Sequence, residues 1–169
     1  EDKNAINDQY IRSKNKKMIN RRIKDAKIGV LDVNGNFQIL SGDLYALCES
    51  IFGLEPRGLL KSGEIYSKYW YDHNVNRVLC FRAPMSNAHS IVAQNICHRE
   101  EALEWFKYID TCVVVNGWDT MPAALNGFDF DGDLLFTTNN APLMRRQKNL
   151  PALNCIQTKA SKKVVDEVD

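Results

Sequence analysis

The chain has 169 residues, of which 44% are apolar and 25% are charged, so it is long enough for one domain with a hydrophobic core. These fractions are typical of a globular protein and exclude a collagen-like or intrinsically disordered chain. No run of 18 or more apolar residues occurs and the sequence is charged from Glu1 onward, which excludes a transmembrane helix or signal peptide within it. We therefore expect a soluble, cytoplasmic protein without a membrane partner.

The net charge of +1 conceals an uneven distribution of charge along the chain. Residues 1–27 contain nine Lys or Arg and four Asp or Glu, while residues 143–163 contain six Lys or Arg and no acid. The rest of the chain is therefore acidic. Two basic ends around an acidic centre favour a protein that binds phosphates at its edges and a metal at its middle. Solvated surface charge accounts equally well for either end taken alone.

The first predicted element is a basic helix or arm over residues 4–27. Its apolar residues are loosely spaced, so a helix there needs a stabilising partner, which we expect outside the chain.

After residue 27 the sequence pattern changes to strand, turn, strand and helix. Residues 28–33 and 37–40 are strand-like, and residues 34–35 (Asn-Gly) are typical of a hairpin turn. Asp43 is a good N-cap for a helix over residues 44–52.

A similar pattern returns in the second half of the chain. Strands are predicted over residues 78–81, 90–96 and 112–115, a helix over residues 100–108, and an interrupted strand over residues 128–138. Two ββα-plus-strand halves can close into one small barrel with helices at its ends. The pattern therefore predicts a mainly β fold with helices, of the α+β class.

A cluster of aromatic residues lies between the two halves: Tyr66, Tyr69, Trp70 and Tyr71. Stacking on nucleic-acid bases is one interpretation of such a cluster. The irregular spacing favours the other interpretation, in which these rings pack in the core or at an interface.

The strongest chemical signal is Asp129-Phe130-Asp131-Gly132-Asp133, in which three carboxylates occupy alternate positions. Gly132 allows a tight turn that directs the three side chains towards one point. Like charges this close repel one another, and a hard divalent cation removes the conflict. Mg²⁺ prefers such oxygen ligands and commonly bridges to substrate phosphates. The segment therefore predicts a metal site, for which a solvated acidic loop is the alternative.

Two known metal-loop patterns fit poorly. An EF-hand that begins at Asp129 needs Gly at its sixth position and Glu at its twelfth, where this chain has Leu134 and Asn140. A haloacid-dehalogenase phosphatase loop normally has Thr or Val where Asp133 stands. That family also places the loop near the start of a doubly wound domain and takes its other catalytic groups from later strands, whereas only 36 residues follow Asp133 here. The phosphatase-like loop is kept as a less favoured alternative.

A third pattern matches. Residues 129–133 resemble the D-F-D-G-D metal loop in the large subunit of multisubunit RNA polymerases, and the D-x-D-G-D of cellular RNA-dependent RNA polymerases. Upstream, residues 78–84 resemble that family's strand ending in Arg-Ala-Pro, and His89 follows it at a similar place. Residues 21–23 (Arg-Arg-Ile) resemble the start of the first half of its barrel. The resemblance covers about residues 21–140.

The chain departs from the large-subunit pattern in two places. The family has Asn-Ala directly before its first Asp, whereas Asn126 here is separated from Asp129 by two residues. Residues 134–136 (Leu-Leu-Phe) are more apolar than the usual continuation. In this respect the chain resembles the RNA-dependent and single-chain phage-type polymerases.

The resemblance implies a double-psi β-barrel over residues 27–142, between a basic N-terminal arm at residues 1–26 and a basic C-terminal extension at residues 143–169. It implies that Asp129, Asp131 and Asp133 hold catalytic Mg²⁺, for which Mn²⁺ can substitute. A second Mg²⁺ would arrive with the NTP.

The implied reaction is nucleotidyl transfer from NTP to an RNA 3′-hydroxyl, on a DNA or RNA template. Arg82 would bind the substrate at the NTP ribose or the primer end. Five basic residues are expected to contact phosphates of the nucleic acid: Arg145, Arg146, Lys159, Lys162 and Lys163.

Polymerases of this class use a second barrel and further moving elements, in the same or another chain. We therefore expect this chain to be a fragment that is inactive alone. The alternative is a non-catalytic barrel that binds nucleic acid or a protein partner and retains the acidic loop as a relic.

Overall fold

The computed structural model describes residues 7–30, 32–85 and 88–148. The chain forms two compact units with their boundary between Val33 and Asn34. Its helices are α1 (Gln9–Lys27), α2 (Leu44–Ile51), α3 (Lys68–Asp72), α4 (Glu100–Phe106), α5 (Met121–Ala124) and α6 (Ala141–Arg146). Its strands are β1 (Asn36–Gly42), β2 (Glu64–Tyr66), β3 (Arg77–Phe81), β4 (Ile91–Ile96), β5 (Cys112–Val115) and β6 (Leu134–Thr138).

The first unit consists of α1 and the turn that ends it. The Asp8 side chain caps the helix by accepting a hydrogen bond from the Ile11 amide at 3.0 Å. None of the residues of α1 is buried. In the part of the chain that the structure describes, no helix is long and apolar enough to cross a membrane.

The strand predicted over residues 28–33 is wrong. The amides of Ile28, Gly29 and Val30 donate to carbonyls in the last turn of α1, and Gly29 has the left-handed φ of +88° that commonly ends a helix. No strand occurs at residues 28–30 or 32–33. The backbone groups that a hairpin needs are used by the end of the helix instead.

The second unit is a closed six-stranded barrel with the strand order β1-β5-β2-β4-β3-β6. The pairs β1–β5 and β2–β4 are parallel, and the other four pairs are antiparallel. The predicted strands at residues 37–40, 78–81, 90–96 and 112–115 are confirmed, as are the helices α2 and α4. The sequence did not predict β2, α3, α5 or α6. A closed barrel also excludes the doubly wound sheet that the phosphatase-like interpretation requires.

Alternation along the strands sorts side chains between the barrel interior and its outside. In β1, Gln38 and Leu40 are buried, whereas Phe37 and Ile39 are exposed. β5 is buried on both faces, so its side chains join two separate core clusters. The barrel core contains residues from all six strands, from α3 and α5, and from the segment after α5: Leu40, Ile65, Trp70, Val78, Cys80, Ile96, Val113, Val115, Met121, Leu125, Phe128 and Leu135. The second cluster packs α4 against Val114.

The aromatic cluster belongs mainly to the core, which confirms the packing interpretation for two of its members. Tyr66 is 1% exposed and lies 5.4 Å from the Phe106 ring, centroid to centroid. The Trp70 indole N–H donates to the Thr137 hydroxyl at 2.7 Å in the barrel interior. The polar atom of a buried Trp commonly requires such a partner.

We predict that Thr137→Val lowers the free energy of unfolding by about 1–3 kcal/mol, because the buried indole N–H of Trp70 loses its acceptor while the shape of the side chain is kept. Urea denaturation followed by tryptophan fluorescence measures this difference. Thr111→Val, at an exposed position, is the matched control and should change stability by less than about 0.5 kcal/mol. Equal effects in the two variants would contradict the prediction.

A second prediction concerns an ion pair that joins β2 to the start of α4. Arg99 donates to both carboxylate oxygens of Glu64 at 2.8 Å and to the Leu59 carbonyl at 2.6 Å. The Arg99 hydrogen bond, with that of the Lys61 amide, lowers the pKa of Glu64 below its ordinary value of 4.5. A carboxyl with a lowered pKa in the folded protein stabilises it above the unfolded value, and that contribution is lost as the pH falls.

Stability of the wild type should therefore decline as the pH is lowered below 4.5, and Glu64→Gln should show a smaller decline over the same range. Urea midpoints measured at a series of pH values test this. Glu104→Gln, at an exposed position on α4, should follow the wild type. A Glu64→Gln variant with an unchanged pH dependence would show that the pair does not contribute.

Candidate metal centre

The acidic segment lies where β1 and β3 finish and β6 begins, which we call the metal end of the barrel. β6 runs antiparallel to both neighbours, with Ile39 opposite Leu134 and Phe81 opposite Phe136. The Asp133 carbonyl accepts a hydrogen bond from the Leu40 amide at 2.9 Å. Strand pairing thus fixes the end of the acidic loop against β1 and brings the residue after β3 next to it.

The loop from Asn126 to Asp133 turns at backbone positions that suit glycine. Gly127 and Gly132 have positive φ angles of 63° and 122°. Phe128 is buried in the barrel core, while the ring of Phe130 lies over Gly42 at the end of β1. The apolar residues on either side of the aspartates therefore anchor the loop, and residues 128–133 form no strand.

The three carboxylates converge as the sequence predicted. Asp129, Asp131 and Asp133 each offer a carboxylate oxygen, and these oxygens lie within 4.8 Å of one another. Asp129 and Asp131 are exposed and Asp133 is half-buried. Among the described residues, this is the one group of three or more His, Cys, Asp or Glu side chains close enough to hold a metal ion. Three hard oxygen donors fit Mg²⁺ or Mn²⁺ and leave positions for water or phosphate.

The electrostatics of the loop reflect this crowding. The pKa of Asp131 is raised above its ordinary value of 3.8, first by a side-chain hydrogen bond with Asp129 and next by the negative charge of that residue. A bound cation would offset the negative charge that crowds Asp131.

Arg82 ties the two ends of the loop together. Its Nη2 lies 2.7 Å from Oδ2 of Asp133, and its Nη1 donates to the carbonyls of Leu125 and Asn126 at 3.2 and 3.3 Å. The Arg82 side chain is 17% exposed, so this ion pair is partly shielded from water. The Arg82 hydrogen bond, together with the Asp129 amide at 3.1 Å, holds the pKa of Asp133 below its ordinary value.

Sequence reasoning singled out Arg82 but did not find these partners. The carbonyls of Leu125 and Asn126 carry no signal in a sequence, because any residue supplies one. The Asn126 side chain also donates to the Pro84 carbonyl, which joins the loop to the segment after β3. One sequence signal could have indicated that Arg82 contacts the acidic loop: the Arg-Ala-Pro segment that directly follows β3.

Of the remaining predicted site residues, the structure describes Arg145 and Arg146. Arg145 and Arg146 are exposed in the last turn of α6, beyond the far end of β6. Five strand residues at about 3.3 Å each place that end roughly 17 Å from the start of β6 at the metal end. Lys159, Lys162 and Lys163 lie outside the described residues. The structure therefore brings Arg82 to the three aspartates but does not bring Arg145 or Arg146 there.

No family model matches the chain, and no curated protein sequence matches it significantly. Among solved structures, the chain is similar to the RNA dependent RNA polymerase QDE-1 from Thielavia terrestris, with 12% sequence identity and a TM-score of 0.59. The similarity covers 90% of this chain and 16% of that polymerase chain. The chain thus shares its fold with a small part of an RNA polymerase.

The metal centre is tested by titration with Mn²⁺ followed by EPR. We predict that the wild type binds Mn²⁺ and that Asp129→Asn/Asp131→Asn/Asp133→Asn does not, because three neutral amides replace the three anionic ligands. The matched control is Glu100→Gln/Glu101→Gln/Glu104→Gln, which removes the same charge from exposed positions on α4. Equal Mn²⁺ binding by the wild type and the aspartate variant would place the metal elsewhere.

The role of Arg82 is tested with the charge held constant. Arg82→Lys keeps one positive charge, but a single ammonium cannot hold Asp133 and the two carbonyls together. We predict a loss of Mn²⁺ affinity of about 10- to 100-fold, typical for residues that orient metal ligands. Arg77→Lys, at an exposed position at the start of β3, the strand that Arg82 follows, is the control. Unchanged affinity in Arg82→Lys would contradict the orienting role.

Proposed function

We propose that this chain is the metal-binding catalytic barrel of an RNA polymerase, with the double-psi connection of that family. The observation that carries the proposal is the convergence of Asp129, Asp131 and Asp133 at one end of a closed barrel. The fold that the chain shares with part of an RNA-dependent RNA polymerase supports it. The proposed reaction is nucleotidyl transfer from an NTP to an RNA 3′-hydroxyl.

In this proposal the three aspartates hold the divalent cation, which when bound lowers the pKa of the attacking hydroxyl and neutralises the phosphates. Arg82 keeps Asp133 oriented, and it lies at the edge where the NTP ribose or the primer end would approach. Its distance of 2.7 Å from Asp133 supports a place beside the reacting groups. Among the described residues, no lysine forms an ion pair with the three aspartates.

The proposed organisation is an N-terminal arm at residues 1–26, the barrel at residues 27–142 and a basic extension at residues 143–169. In the extension, five residues are proposed to contact the phosphates of the RNA product or of a DNA or RNA template: Arg145, Arg146, Lys159, Lys162 and Lys163. Because the chain spans 16% of the polymerase it resembles, the second barrel and the moving elements are proposed as further parts of the active enzyme.

The proposal is tested by the binding of a fluorescent ATP analogue, measured by anisotropy with and without Mg²⁺. The wild type should bind the analogue about tenfold more tightly with Mg²⁺, because the cation bridges the carboxylates and the triphosphate. The aspartate variant should show no such gain, and the α4 glutamate variant should behave like the wild type. A non-catalytic barrel would bind RNA without any Mg²⁺-dependent gain for the nucleotide.

A further prediction is that the purified chain does not extend a primer on either an RNA or a DNA template. A single barrel lacks the second set of cationic groups that positions the NTP, and positioning supplies most of the catalysis in this class of reaction. Extension is measured on a labelled primer in Mg²⁺ and in Mn²⁺. Template-directed extension that disappears in Asp131→Asn would support nucleotidyl transfer at the aspartates. It would also show that the chain is active alone, which would contradict the prediction that it is an inactive fragment.

A further inference from the structure

We propose that one face of α1 binds the sugar-phosphate backbone of nucleic acid. The face consists of Lys14, Lys17, Arg21 and Lys24, which we call the α1 stripe. It is separate in sequence from the metal end of the barrel and from the basic C-terminal residues. The proposal therefore adds a second contact with nucleic acid to the proposed polymerase.

The four cations of the stripe form one row along the helix. Its four residues stand at positions i, i+3, i+7 and i+10, so at about 100° per residue they fall within an arc of about 80°. From Lys14 to Lys24 the helix rises by about 15 Å. A nucleic-acid backbone is itself a row of single negative charges. A strand laid along the stripe therefore brings several phosphates within reach of the four long side chains.

The charge of the stripe is available to a ligand. Residues 9–27 contain eight Lys or Arg and a single acid, and none of them is buried. The one ion pair within the stripe, Arg21 Nε to Asp25, is long at 3.9 Å, and its side chains are 86% and 40% exposed. Among the described residues, no ion pair involves Lys14, Lys17 or Lys24.

Such a helix is under electrostatic strain by itself. Like charges three and four residues apart repel one another on a helix surface, and here no buried apolar face compensates. A polyanion laid along the stripe replaces that repulsion with attraction and releases counterions. This complementarity identifies the partner by its chemistry as a nucleic-acid backbone.

An anionic membrane surface fits the helix less well. The large apolar side chains of α1 form no single face. Tyr10 falls within the arc of the stripe, and Ile11 and Met18 lie beside its edge. Asn15 and Arg22 separate this pair from Ile19 and Ile23 around the helix. Arg22 is also paired with Asp32 at 2.8 Å. A helix that lies in a membrane interface needs a continuous apolar face.

The inference rests on the proposed function for the choice of ligand, since a polymerase must hold its template and product. The binding itself needs no catalysis. RNA binding is therefore measured without divalent cations, and the Mn²⁺ titration of the aspartates is a separate readout, so that failure of the catalytic proposal and failure of this one are observed separately.

The test is binding of the full chain to a fluorescein-labelled single-stranded RNA of about 20 nucleotides, measured by anisotropy between about 50 and 200 mM KCl. The stripe variant is Lys14→Gln/Lys17→Gln/Arg21→Gln/Lys24→Gln. The control, Lys16→Gln/Lys27→Gln/Lys61→Gln/Lys107→Gln, removes the same charge from exposed positions outside the stripe, two of them on α1 itself. Gln has nearly the helix propensity of Lys, and circular dichroism checks that both variants keep the helix.

The stripe variant should lose affinity by about tenfold or more at 100 mM KCl, and the slope of log K against log salt should fall by about 3, for four contacts at about 0.7 each. The control should lose less than about threefold in affinity, since only diffuse attraction is reduced. Equal losses in the two variants would overturn the proposal in favour of net charge alone. Absence of RNA binding by the wild type, or binding to vesicles with about 30% anionic lipid but not to RNA, would also overturn it.

Discussion

Repulsion among three carboxylates is the constraint to which the rest of the barrel unit is adapted. Oxygens of Asp129, Asp131 and Asp133 lie within 4.8 Å of one another. The chain offsets part of that repulsion through the Arg82 guanidinium, which pairs with Asp133 at 2.7 Å. This ion pair neutralises one of the three charges and leaves the group as a candidate cation site. The core position of Phe128 and the turn at Gly132 hold the backbone in the shape that this requires.

The position of this loop depends on closure of the barrel. β6 pairs with β1 on one side and with β3 on the other, and those two strands are far from it in the sequence. A shift of one residue in β1 would exchange Gln38 and Leu40 in the core for Phe37 and Ile39. The same shift would remove the bond between the Leu40 amide and the Asp133 carbonyl. The register of β1 against β6 therefore sets both the packing of the core and the geometry of the metal end.

The elements that the sequence predicted well are those with strong local signals. The strand over residues 112–115 is a run of β-branched residues after Cys112, and α2 begins after Asp43, whose carboxylate caps it. β2 was missed because its three residues become a strand only through pairing with β4 and β5. Residues 28–33 carried a clear strand pattern, yet the end of α1 uses the amides of Ile28, Gly29 and Val30. Local preference failed there because a neighbouring element competed for the same backbone groups.

By itself, the sequence determined the chemistry of the metal end: three carboxylates at alternate positions, a glycine that allows the turn between them, and apolar residues that anchor the loop. These are local properties, fixed by residue type and spacing. Only the tertiary structure decided that Arg82 binds Asp133 and the carbonyls that precede the loop. Their separation along the chain means that nothing local favours the contact, and the register of β3 against β6 brings them together. The three carboxylates follow from the covalent sequence, whereas the groups that contact them follow from which strands pair.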